Sequence, residues 1–189
     1  DCTYFRRSNL NHTNLTDANL IGADLSEVTL INAKLGGIKL GRADLSHTDL
    51  SEAYLCRADL NEANLSFAKM VNVNLTKADL TNAHLTGANL SKANLSETNL
   101  TWADLTDADL GETNLTDADL SNANLSGADL RKADLRGANL RKANLSNADL
   151  RGADLIDADL SNAKLREANL RGVDLRDTNL RGAWLPIDN

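Results

Sequence analysis

The chain has 189 residues, 42% of them hydrophobic but only 3% aromatic, and carries 27 acidic against 20 basic residues for a net charge of −7. That balance excludes nonspecific, charge-driven nucleic-acid binding. No apolar run is long enough for a membrane-spanning helix, so no membrane insertion is expected.

Read from the N-terminus, Asp1 already lies inside a repeat and no initiator Met is present. The expectation is a single unit over 1–189 that is a fragment or processed form lacking its native N-terminus. Phe5, Leu10, Leu15 and every fifth residue to Leu185 are leucine, apart from Phe5 itself and Met70. About 37 repeats follow without an insertion. Two residues before each central position sits Ala in most repeats, as in Ala18, Ala23 and Ala183, with exceptions that are small or β-branched, such as Thr13, Val28 and Ile38. The residue just before Leu is usually Asn or Asp.

An α-helix turns roughly 100° per residue, so successive leucines would spread around the whole cylinder and leave no face to bury. A straight strand alternates its side chains with period two, so an interval of five sends consecutive leucines to opposite faces. One bend per repeat removes the conflict and points every Leu to a common interior. The recurrent Asn, Asp, Ser, Thr and Gly around Leu are residues that hydrogen-bond nearby backbone in turns. A strict Leu spacing of this kind also excludes low-complexity disorder.

With ADLTD at 103–107 and ANLSK at 88–92, the chain resembles the pentapeptide-repeat family, whose motif is Ala-(Asp/Asn)-Leu-X-X. The resemblance implies an all-β fold, a right-handed quadrilateral parallel β-helix with four repeats per coil, and hence about nine coils in a rod of roughly 43 Å. It also implies a non-enzymatic scaffold or protein–protein interaction module without cofactor or metal, from a bacterium and in particular a cyanobacterium. The expected compartment is the bacterial cytoplasm, or the periplasm or thylakoid lumen if a targeting segment has been removed. Tyr4, Lys34, Lys39, Tyr54, Lys69, His84, Lys164 and Trp184 depart from the motif where Asn or Asp is usual. With twenty residues per coil, Cys2 and Cys56 lie nearly three coils apart, roughly 13 Å of rise, beyond the reach of a disulfide. Both are expected to be free thiols.

Charge is unevenly spread along the chain. Residues 131–189 hold 11 basic against 9 acidic residues. There Arg131, Arg151 and Arg171 are expected to stack beside Asp129, Asp149 and Asn169, either as a self-neutralising solvated face or as a docking ridge for an acidic partner. Residues 101–130 contain no Lys or Arg but hold Asp104, Asp107, Asp109, Glu112, Asp117, Asp119 and Asp129. Such a band can mimic DNA phosphates, which is how the resemblance implies that some gyrase-protecting members work. The alternative function is therefore a DNA-mimicking regulator of a type II topoisomerase, by gyrase inhibition or quinolone protection. Against it stand central leucines where those members are rich in Phe, and no projecting loop or C-terminal helix for dimerisation.

Phe67 and Trp102 occupy outward positions two after Leu, on adjacent faces and more than a coil apart, and are candidate contacts for a protein partner. Trp184, Pro186 and Ile187 are expected to cover the core at one end, Tyr4 and Phe5 at the other. DADLG at 107–111 matches the opening of a calcium loop, but Ala118 stands where its bidentate Glu would be. His12, His47 and His84 share no spacing with a Ser or Cys nucleophile and read as surface residues.

Overall fold

The computed structural model describes residues 5–186; Cys2, Tyr4 and Ile187 lie outside the described residues. Each repeat takes the same course: two turn residues, then a bridging residue immediately before the central Leu. Parallel bridges join each bridging residue to the one twenty further on, without a break from Asn9 with Thr29 to Lys164 with Trp184. Residues twenty apart therefore stack, and four successive repeats advance the chain by one layer.

The repeat around Leu90 shows how the backbone is satisfied. Ala88 N–H donates to Leu85 O (3.0 Å) within the turn, Asn89 N–H to Ala68 O (2.9 Å) in the preceding layer, and Leu90 and Lys92 N–H to Asp109 O (2.7 Å) and Gly111 O (2.9 Å) in the following one. The fifth donor, Ser91 N–H, has no backbone partner and donates instead to Asn89 Oδ1 (3.0 Å). That side-chain bond recurs in each of the 28 repeats from Asn9 to Asn179 that carry Asn or Asp before Leu. Asn and Asp stand there because their short side chains alone close this bond and complete the repeat's set of donors.

The second residue after Leu is left-handed at every corner from Arg7 to Gly182: 28 non-glycine residues and eight glycines, with φ between 55° and 73°. A turn whose third residue has positive φ is the type II pattern. Among the described corners, Arg7 to Gly182, Val, Ile, Thr and Pro never occupy the position, as expected where β-branching makes positive φ a genuine outlier and proline cannot reach it.

Inside, the central leucines and the Ala two residues earlier form one continuous core, nearly all of it fully buried. Where Thr replaces Ala, its hydroxyl donates to a main-chain carbonyl, either within the turn, as Thr48 Oγ1 to Leu45 O at 2.7 Å and Thr98 Oγ1 to Leu95 O at 2.6 Å, or in the preceding layer, as Thr113 Oγ1 to Leu90 O at 2.9 Å. Trp184 does not cover the core as expected. It stands at the outward bridging position before Leu185 and is 66% exposed. Cys56 is a free thiol. No helix among the described residues is long and apolar enough to cross a membrane.

Candidate functional site

Because residues twenty apart stack, the outward side chains sort into four columns. The first contains Phe67. Between Arg7 and Lys164 it holds Asp24, Glu27, Asp44, His47, His84, Asp104 and Asp107 but neither Lys nor Arg. Phe67 is 58% exposed and its ring stacks on His47, with centroids 5.4 Å apart and planes 12° from parallel. On its other side lies Gly87, where an added Cβ would meet the ring at 2.6 Å. Glycine there, at φ +64°, leaves the space into which the Phe67 ring leans. An aromatic held by its neighbours presents apolar area with little side-chain entropy left to lose on binding.

Two layers further along the column, Asp104 accepts from Thr86 Oγ1 (3.2 Å) and from Thr106 Oγ1 (2.5 Å) and N–H (3.1 Å). Burial pushes the Asp104 carboxyl up, but these hydrogen bonds outweigh it and hold the group below the ordinary carboxylate value. Asp104 therefore keeps its negative charge to lower pH than an ordinary carboxylate does.

The second column contains Asp109, Glu112, Arg131, Arg151 and Arg171. Arg131 Nε donates to Asp129 Oδ1 at 2.8 Å and lies 3.9 Å from Asp149, while the Arg151 guanidinium reaches Asp149 at 2.6 Å. Hydrogen bonds from Arg131 and Arg151 are the main cause of the lowered Asp129 and Asp149 pKa values. Arg171 lies beside neutral Asn169, which accepts its N–H at 3.2 Å. The ridge thus neutralises part of its own charge. Trp102, 61% exposed, belongs to the fourth column, between Asn82 and Asn122.

The structure accordingly places Phe67, Asp104 and Asp107 in one column, two layers apart, puts Asp109 and Glu112 in a column with the three arginines, and leaves Trp102 apart. The acidic band that is continuous along the chain is divided among four columns. Asp107 and Asp109 fall on opposite sides of a corner, and no group of three metal-ligating residues is present among the described residues. The functional partners missed by sequence reading are His47 and Gly87; their signal was the interval of twenty on either side of Phe67.

A pH dependence follows from the ion pairs. Glu27 is held down at about 2, chiefly by hydrogen bonds from Arg7 and Arg6. Hydrogen bonds from Arg136 and Arg176 similarly lower Asp134 and Asp174. A carboxylate whose folded pKa is depressed stabilises the fold above its unfolded pKa and loses that contribution as pH falls through the folded value. Thermal melts should therefore be flat from about pH 7 to 5 and fall steadily below about pH 4. A melting temperature unchanged at pH 3 would contradict this.

Eight copies of the pentapeptide-repeats family model match, over residues 1–37, 38–76, 74–111, 113–152 and 153–185. Among solved structures, the chain is similar to HetL, a pentapeptide repeat protein involved in heterocyst differentiation regulation from the cyanobacterium Nostoc sp. strain PCC 7120. The two are 37% identical over 95% of this chain and 89% of that one, with a TM-score of 0.49. A second pentapeptide repeat protein from Nostoc, alr5209, is 44% identical over 48% of this chain and 76% of its own, with a TM-score of 0.45. QnrB1, a plasmid-mediated fluoroquinolone resistance protein, is 21% identical over 100% of this chain and 93% of its own, with a TM-score of 0.45. No curated protein matches the chain. The eight repeat matches, with Leu inside and Asn or Asp closing most turns, place the chain in the pentapeptide-repeat family, whose members form right-handed β-helices.

Proposed function

We propose that the chain is a non-enzymatic, rigid protein-docking rod: one four-sided solenoid of about nine coils over 1–189 that engages a protein partner through its first column. The observation that carries this reading is Phe67, exposed yet held between His47 and Gly87 in the stretch of an acidic column between Arg7 and Lys164 that lacks Lys and Arg. The complementary partner has an apolar pocket for the ring and a basic rim. Catalysis is disfavoured because outward side chains diverge around a coil, whereas a reaction centre needs them to converge. Affinity for the partner should fall at least about thirtyfold in Phe67→Ala, the scale of a binding hot spot. Trp102→Ala should change it less than about threefold. Equal losses in the two variants, measured by calorimetry, would sink the proposal.

The same Lys- and Arg-free stretch favours a second reading, a DNA-mimicking regulator of a type II topoisomerase. A gyrase supercoiling assay separates the two. Concentration-dependent inhibition or quinolone protection that survives Phe67→Ala but is lost in Asp104→Asn/Asp107→Asn would support this second reading, and no effect on gyrase would remove it.

A further inference from the structure

In the third column the repeat loses its side-chain acceptor twice in succession. Elsewhere Asn or Asp Oδ1 accepts the N–H two residues on, but Lys34 and Tyr54 occupy that position and carry no such oxygen. Departures of this kind leave Gly36, Gly41, Cys56, Val71, Thr86 and Arg166 with no acceptor for their N–H among the described residues. A seventh, Ile31, is supplied by Asn11 Oδ1 of the neighbouring layer at 2.8 Å. Of the six, only Gly36 and Cys56 are neighbours, stacked twenty residues apart at roughly 4.8 Å. Since the repeats are equivalent, both N–H groups point outward, to where a side-chain oxygen sits in the other layers.

These donors open into a surface cleft of about 390 Å³. Gly36 and Gly37 form its floor, and the Tyr54 ring lies 3.4 Å from where a Gly36 Cβ would stand. Arg57 and Asp17 also line the cleft. Asp17 folds its carboxylate over Gly37 and takes the place of a side chain there. We propose that this cleft binds a phosphate group, whose oxygens accept from Gly36 N–H, Cys56 N–H and the Arg57 guanidinium in place of the missing Asn or Asp oxygen. Three donors spread over two layers suit the fan of oxygens on a tetrahedral phosphate, and stacked backbone N–H groups are anion-binding elements in their own right. Asp17 opposes the ligand and limits its affinity.

The test is a titration of the folded chain followed through its backbone amide NMR signals, with inorganic phosphate in one arm and a phosphoserine peptide in the other. The Gly36 and Cys56 signals should shift together and saturate with one dissociation constant, while those of Gly41 and Val71, which also lack acceptors, stay in place. Saturation in the first arm identifies free phosphate as the ligand, and saturation in the peptide arm alone identifies a phosphorylated protein. Tyr54→Asp restores the usual acceptor beside Cys56, keeps the fold, and should weaken binding at least about tenfold, as should Arg57→Gln. Asp17→Asn should tighten it about threefold by removing a like charge. No saturation in either arm, or equal responses at all four amides, would overturn the proposal.

Discussion

Leu110→Asp should abolish cooperative folding of the central layers. Leu110 is fully buried, with Leu90 and Leu130 stacked on either side, and its N–H donates to Asp129 O at 2.7 Å. No cation can reach a carboxylate placed in that interior, so the variant must either bury an unpaired charge or neutralise it. Breaking charge pairing inside a protein costs about 3–5 kcal/mol, a large part of the roughly 5–15 kcal/mol that holds a domain together. In a stack whose layers are stabilised by their neighbours, the damage spreads to the coils above and below. Leu110→Ala, which only leaves a cavity, should cost about 2–5 kcal/mol and keep the fold. Urea unfolding followed by circular dichroism checks both; a cooperative transition for Leu110→Asp near the parent midpoint would contradict the packing described.

The second large effect is expected at a corner. Lys92 has φ 60° and donates its N–H to Gly111 O at 2.9 Å. For an L-residue the left-handed region costs about 1–2 kcal/mol, and glycine avoids that while losing more chain entropy, so Lys92→Gly should gain up to about 1 kcal/mol. Lys92→Ala carries the same backbone penalty as lysine and should lie within about 0.5 kcal/mol of the parent. Lys92→Val adds β-branching where it is least tolerated and should lose a further 1–2 kcal/mol or so. Lys92→Pro fixes φ near −65° and deletes the donor, for a loss above about 3 kcal/mol. The order of urea midpoints should be Gly, then Lys and Ala together, then Val, then Pro. A valine variant as stable as the parent would show that the corner is not constrained in this way.

How far such features could be read without coordinates depends on their period. The leucine interval of five excludes helix and flat strand by geometry, and the Asn or Asp before Leu already implies a side-chain bond in the turn. The left-handed corner was less visible, because Arg, His, Glu, Phe, Lys and Trp all occupy it; only the lack of β-branched residues at the described corners, Arg7 to Gly182, marks it. Phe67 was recognisable as an outward aromatic, but its support by His47 and Gly87 depends on residues twenty apart, a relation that local pattern does not express. The acidic band of 101–130 misled for the same reason: adjacency along the chain is not adjacency on the surface when every fifth residue turns a corner. Trp184 is a simpler case, since a residue directly before an inward Leu faces outward.

Four corner residues, Phe67, Lys92, Lys77 and Trp102, represent one column each and share the same left-handed backbone. Placing a photoreactive phenylalanine derivative at each in turn, in the native host, tests the docking proposal most directly. Cross-links to a common basic partner from position 67, with little or none from 92, 77 and 102, are the predicted result. Equal cross-linking from all four positions, or none from position 67, would contradict it.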